Sequence, residues 1–476
     1  MQFSKSFFLA IQIAVTVVSA RTVPEGFTKR DAVLDSWVTS QRSVAFDGIL
    51  ANIGPNGANA KGVNAGAIVA SPSKSNPDYW YQWTRDSAMT FKVLLNDYLK
   101  GNNTLESYLY DYVNESYKLQ RTNNPSGNYY TGGIGEPKFH VDGTPYTGGW
   151  GRPQNDGPAI RATVLIAFAN KLIAKGDTAY VKSKLYDSKL PTEAVIKADL
   201  EHVANNWQKN NFDLWEEVNA IHFFTFMVQR RALIEGADLA DKLGDSGAAT
   251  WYRSQANAIA ARLPSFWNGA FINEHQGINY RSGTDCATLL GAIHGNGAKG
   301  YGLYEPVSDE ILLSLEKLVS VMKPLYAINK NTAVGTAIGR YPEDVYDGVG
   351  ESKAHPWFIC TATSADILFQ ARNKHIANKK ITITNLNQGF YRKWVSSATS
   401  GQSFAAGSSQ FEAITEGLKA YGDSFLARIK LHTANNGDMS EQFNRDTGFQ
   451  EGAKKLTWSY ASFVGAKASR DGNVPY

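Results

Sequence analysis

Cysteine is almost missing from this chain: Cys286 and Cys360 are the only two in 476 residues. A scaffold stapled by several disulfides is therefore excluded, and the hydrophobic core must supply the stability. Both cysteines sit inside apolar, helix-period patterns, which favours buried free thiols over one bridge between them. A strong charge of either sign is also missing. Lys and Arg number 48 against 44 Asp and Glu, a net charge of +4. Residues 1–30 carry four basic groups (Lys5, Arg21, Lys29, Arg30) and one acid (Glu25), so without them the charge falls to +1. A nucleic-acid partner gets no support from such a balance. Long apolar runs are missing beyond the N-terminus, so no membrane partner is expected. The eight histidines (140, 202, 222, 275, 294, 355, 375 and 432) show no HExxH-type spacing, and no metal is expected. The Walker lysine, the dinucleotide glycine spacing and the G-x-S-x-G elbow are absent, so no cofactor is expected and a serine hydrolase is disfavoured.

What is present is a folded-protein composition, 43% hydrophobic and 19% charged, with 11 Trp, 23 Tyr and 23 Phe. That many aromatics leave some over for binding flat apolar ligand faces. Residues 1–20 read as a secretory signal: Lys5 precedes an apolar run from Phe7 to Val15, and Val18-Ser19-Ala20 is a small-residue cleavage site. Lys29-Arg30 resembles a dibasic processing site that makes 21–30 a short propeptide and leaves Asp31 as the mature start. Asn102 and Asn114 begin glycosylation sequons, in keeping with a secreted, extracellular protein.

Helix-period segments recur along the rest of the chain, at about 32–52, 86–100, 104–120, 156–175, 193–208, 217–235, 246–264, 284–294, 308–322, 356–376, 409–434 and 454–468. Asn155-Asp156-Gly157-Pro158 opens one helix, Ser409-Gln410-Phe411-Glu412 has capping-box form, and Gly236 and Gly437 follow two others. Strand-like alternation is scarce, best near 270–281 and 379–396. Long loops rich in Gly, Trp, Tyr and Pro cover 122–155, 324–355 and 435–453. No linker composition interrupts 31–476, which reads as a single all-α domain. About twelve helices joined alternately by short turns and long loops suit a barrel of two concentric rings, the long loops gathering at one mouth.

Four constellations carry chemistry. In Asp213-Leu214-Trp215-Glu216-Glu217-Val218-Asn219, two carboxylates adjoin a tryptophan ahead of a helical pattern through Ile221, Phe224, Val228 and Ala232. A carboxyl pressed against an indole keeps its proton near neutral pH, as a general acid must. An acidic pair offsetting a helix dipole is the commoner reading of such a pair alone. Tyr79 to Ser87 sets aromatic faces beside Arg85 and Asp86; the competing reading is an ion pair tying a loop to a helix start. The glycines around Trp150, with Gly151 and Arg152, let backbone pass close to a ligand. Arg340 shares its loop with acids and aromatics and is followed by Trp357. Glu441, in Met439-Ser440-Glu441-Gln442-Phe443-Asn444-Arg445-Asp446, is a lone acid in a polar loop where it can stay ionised.

Taken in order, the motifs DYWYQWTRDS, YTGGWGRPQNDGPAIRA, DLWEEV, GRYPED, HPWFICT, MSEQFNRDTG and LTWSYA resemble the fungal and yeast glucoamylases, glycoside hydrolase family 15. The likeness spans about Asp31 to the end. It implies an (α/α)6 barrel of six inner and six outer helices, and an exo-acting glucan 1,4-alpha-glucosidase that releases glucose from non-reducing ends with inversion. Starch, dextrin and malto-oligosaccharides are the implied substrates of a secreted monomer. The same resemblance makes Glu216 the general acid and Glu441 the general base. It makes Tyr79, Trp83, Arg85, Asp86, Trp150, Gly151, Arg152, Trp215, Glu217, Arg340 and Trp357 substrate-binding. Longer family members carry a linker and a starch-binding module after the barrel, and neither is expected here. The competing readings are a helical-barrel glycosidase of other linkage preference, trehalase-like or dextran-cleaving, and a glycan-binding protein without turnover.

Overall fold

The computed structural model describes residues 32–476, so the signal segment, the dibasic site and Asp31 lie outside the described residues. Helices dominate because apolar positions recur at three- and four-residue spacing, and the long ones number twelve among the described residues. In chain order they are α1 (Ala32–Ala51), α2 (Thr84–Leu99), α3 (Glu106–Arg121), α4 (Asp156–Ala174), α5 (Val195–Asn206), α6 (Phe223–Leu243), α7 (Ser246–Arg262), α8 (Cys286–Asn296), α9 (Asp309–Met322), α10 (Phe358–Asn378), α11 (Ser409–His432) and α12 (Thr457–Arg470). Each matches a segment that the periodicity marks.

The even-numbered helices pack in a closed ring: α2 on α4, α4 on α6, α6 on α8, α8 on α10, α10 on α12, and α12 back on α2. The odd-numbered helices cover this ring, α1 against α12, α5 against α4, α7 against α6 and α11 against α10. The inner helices are apolar almost all round, as a helix with two buried faces must be. In α4, from Asp156 to Leu172, only Asn170 and Lys171 escape full burial. That helix is long and apolar enough to cross a membrane, contrary to the sequence expectation, but 78% of its window is buried inside the barrel.

Strand structure is confined to short antiparallel pairs in the loops, including β1 (Tyr81–Trp83) with β2 (Lys138–His140), and β3 (Asn211–Phe212) with β4 (Asn219–His222) and β5 (His275–Gln276). Several local expectations fail for clear reasons. The helix expected from 217 begins only at Phe223, because Asn219–His222 pairs between two strands. Gly236 lies inside α6, where a Cβ would meet Leu200 Cδ2 at 2.5 Å, and Gly244 in the left-handed conformation ends the helix. Gly437 lies five residues beyond the end of α11. The N-cap of α11 is Ser408, whose side chain accepts from Phe411 N–H, rather than Ser409.

The free-thiol expectation also fails: Cys286 and Cys360 form a disulfide, with Cα atoms 5.7 Å apart. Periodicity placed each cysteine on its own helix. It could not show that both stand in the first turns of α8 and α10, neighbours in the inner ring.

Candidate active site

Loops 122–155, 324–355 and 435–453 converge over the starts of the inner helices and enclose a cavity of about 270 Å3. Its wall includes Tyr79, Trp83, Arg85, Asp86, Trp150, Gly151, Trp215, Glu216, Glu217, Arg340, Trp357 and Glu441. Every site residue expected from sequence is therefore brought to one hollow except Arg152. That guanidinium turns into its own loop, donating to Glu136 Oε1 at 3.0 Å and to the Gly148 carbonyl at 2.9 Å.

Glu216 stands on a turn, not on a helix. Asp213 builds this turn by accepting the N–H groups of Glu217 and Val218, each at 2.8 Å, while its own N–H reaches the Val218 carbonyl. Within the turn Glu216 has φ of 70°, a left-handed conformation that costs a non-glycine residue about 1–3 kcal/mol and is held by its surroundings. Gly151 passes so close that a Cβ there would lie 2.3 Å from the Glu216 carbonyl oxygen. Arg85 donates to Glu216 Oε1 at 2.9 Å, to Asp156 Oδ2 at 3.1 Å and to Gln154 Oε1 at 2.7 Å. Burial pushes the Glu216 carboxyl up to about 7, opposed by the Arg85 charge. Asp86 is pushed up to about 6, again by burial against Arg85.

Glu441 does not occupy the solvated position expected of it. It is 1% exposed, and burial pushes it up to about 8 against a hydrogen bond from Tyr79 and the charge of Arg340. Gln442, next in sequence, donates its amide to Glu441 Oε2 at 3.3 Å, while the polar residues beyond point elsewhere: Arg445 donates to the Ala354 carbonyl, and Asn444 to Glu451. Gly452 lies against Glu441, where a Cβ would meet Oε2 at 2.5 Å. Both acids are thus desolvated, and their immediate partners differ: an arginine for Glu216, the Gln442 amide and a phenol for Glu441. That phenol, Tyr79, also shares a 2.8 Å hydrogen bond with Tyr346.

Arg340 is clamped by Asp344 through two nitrogens at 2.8 and 2.6 Å and reaches Glu217 Oε1 at 2.9 Å. Trp215 packs at ring distances of 5.6 Å on Trp357 and 6.1 Å on Trp458, and its indole N–H donates to Asp285 Oδ1 at 2.9 Å. The buried atoms Trp83 Nε1, Trp150 Nε1, Trp357 Nε1 and Glu216 Oε2 have no hydrogen-bond partner among the described residues. Apolar ring faces with unmatched donors and acceptors at their edges suit a ligand with flat carbon faces and hydroxyls round its rim.

Tyr346, Leu456 and Trp458 also line the cavity, and sequence reading did not single them out. Leu456 and Trp458 both stand within the motif LTWSYA, so a signal was there. Lys138 had none. Buried behind the wall, its Nζ lies 3.5 Å from the Trp150 ring centre and within 4.7 Å of the Tyr81, Trp83 and Tyr146 rings. Burial lowers it to about 8, against the pull of Glu216.

Comparison with known proteins agrees with this geometry. Residues 43–468 match the family model for glycosyl hydrolases family 15. A probable glucoamylase of Schizosaccharomyces pombe is 38% identical over 469 residues, 98% of each chain. The solved glucoamylase of Hormoconis resinae superposes with a TM-score of 0.86 at 39% identity, covering 93% of this chain and 74% of that one. The solved Saccharomycopsis fibuligera glucoamylase gives 0.86 at 36% identity, covering 94% and 96%. On a match over most of its length, with relatives alike from end to end, this chain belongs to the glycosyl hydrolases of family 15.

Proposed function

We propose that the protein is a glucoamylase: it removes glucose from the non-reducing ends of starch, dextrins and malto-oligosaccharides, cleaving α-1,4 bonds and, more slowly, α-1,6 bonds, with inversion at the anomeric carbon. The observation that carries this reading is that two carboxyls, half-buried Glu216 and buried Glu441, share one hollow with indole faces and two clamped arginines.

Position separates the roles. In a chain-end enzyme the terminal sugar goes to the floor and the leaving chain trails toward solvent. The proton donor therefore belongs nearer the mouth and the water-activating base nearer the floor. The Glu216 side chain is 15% exposed, next to the more exposed Glu217, whereas Glu441 is 1% exposed. Glu216 is accordingly the acid that protonates the bridging oxygen. Glu441 takes a proton from water on the opposite face of the ring. Arg85, Asp86 and Arg340 hold hydroxyls, Tyr79, Trp83, Trp215 and Trp357 hold the ring, and Trp150 with Glu217 serves the next sugar. Inversion needs the two carboxyls roughly 6.5–9.5 Å apart, which leaves room for that water.

Relatives named as glucoamylases match along nearly the whole chain, which leaves the trehalase-like, dextran-cleaving and non-catalytic alternatives without support. The reading includes secretion on the leader at 1–20, processing after Arg30, and action as a monomer. Asn102 and Asn114 both face solvent, as glycan carriers must. Real-time NMR of maltotriose hydrolysis tests the core of it: β-glucose appears first, and α-glucose as first product overturns inversion. Hydrolysis of trehalose in preference to maltose would overturn the substrate class.

A further inference from the structure

The barrel holds a second chamber, behind the floor of the catalytic pocket, that the proposed reaction does not use. It is a cavity of about 290 Å3 among α1, α2, α8, α10 and α12, separated from the pocket by Trp458, which lines both. Exposed Thr39, Lys100 and Asp471 stand at its mouth, at the end of the barrel away from the active-site loops. Buried Lys92 and Asp366 and half-buried His294 stand within. Most charges here are matched: Arg42 pairs with Asp97, Lys467 with Asp471, and Arg231 with Glu235. Asp366 accepts from Gln370 at 2.9 Å.

Lys92 is the exception. Its side chain comes from the middle of α2, and its Nζ is 3.2 Å from His294 Nδ1. Among the described residues no carboxylate forms an ion pair with it. A primary amine without a counter-ion, facing a chamber that opens to solvent, is a nucleophile in waiting. Burial lowers its affinity for a proton to about 7, with Arg231 on α6 lowering it further and Asp366 on α10 and Glu235 on α6 opposing; His294 on α8 is pushed the same way as Lys92.

We propose that Lys92 is a covalent modification site for small aldehydes, open-chain reducing sugars among them, which enter the chamber and condense with its Nζ. The Nζ lone pair attacks the carbonyl carbon, and the amine proton passes to the carbonyl oxygen, giving a carbinolamine. Loss of one water forms the imine. The imine nitrogen takes a proton from water, and added cyanoborohydride then delivers hydride to the iminium carbon, leaving a stable secondary amine.

The test is glyceraldehyde with cyanoborohydride, followed by peptide mapping of the intact folded enzyme from pH 6 to 9. At neutral pH a much larger share of Lys92 is neutral than of an ordinary lysine, of which roughly one in three thousand is, so its peptide labels first. From pH 7 to 9 its labelling rises only about twofold, while ordinary surface lysines gain about a hundredfold. A Lys92→Gln variant loses this early adduct. If that variant fails to fold, the parent's map decides alone. An unlabelled Lys92, or one whose labelling climbs in step with the surface lysines, overturns the proposal.

Discussion

The guanidinium of Arg85 lies 2.9 Å from Glu216 Oε1 and 3.1 Å from Asp156 Oδ2, so one buried cation joins the candidate proton donor to the first turn of α4. Arg85 itself sits in the first turn of α2. The barrel's inner ring and the chemistry at its mouth therefore share a strut. Arg85 also lowers the Glu216 proton affinity that burial raises.

The first prediction follows from that opposition. Glu216 must hold a proton to donate it, so activity is present below its folded value and is lost as the pH rises through it. Removing the Arg85 charge raises that value further. Arg85→Met should move the alkaline limb of kcat/KM to higher pH while lowering its height by about 100-fold, through loss of a buried charge pair. An unmoved alkaline limb would separate Glu216 from the donor role.

Glu441 carries the opposite requirement. A base works after it has lost its proton, and the Tyr79 hydrogen bond favours the ionised form. Tyr79→Phe should raise the Glu441 value, so the share of enzyme with Glu441 ionised while Glu216 holds its proton shrinks and peak activity falls. Initial rates on maltotriose across the pH range check the sign.

Replacing either acid tests the chemistry directly. Glu216→Gln and Glu441→Gln should each lose about 100- to 10,000-fold in kcat, the usual worth of a positioned acid or base. Calorimetric binding of maltotriose should survive in both. Normal turnover in either variant removes that residue from its role.

Gly452 has φ of 71°, and a Cβ on it would lie 2.5 Å from Glu441 Oε2. Gly452→Ala should displace this carboxyl and reduce kcat by about 100-fold, the scale of an ångström-sized misplacement. Thermal melting is expected to change far less than kcat, and the ratio of the two effects is the readout.

The Cys286–Cys360 bridge spans 74 residues of sequence. Replacing both cysteines with alanine should destabilise the fold by about 2–4 kcal/mol, because the unfolded chain regains the freedom of that loop. Urea unfolding of the double variant measures it.

The helical period marks each of the twelve long helices among the described residues, since each must turn an apolar stripe inward. It also found the motif residues of the pocket, because Arg, Trp and Glu clustered in glycine-rich loops are unusual side chains in unusual places. It misjudged Glu216 as the start of a helix, because the carboxylate of Asp213 capturing two backbone N–H groups outbids the local helical pattern. It missed Lys138, whose aromatic cage is assembled from two separate stretches of the chain, 81–83 and 146–150.

Chain order alone determined the helical class and the loops, since these depend on local periodicity, and the family resemblance singled out the two candidate acids. The tertiary structure decided the burial of Glu441, the disulfide, the exclusion of Arg152 and the chamber behind Trp458. Each of those depends on which distant segments lie within a few ångströms of one another, and desolvation, ion pairing and bridge formation all act across such contacts in space.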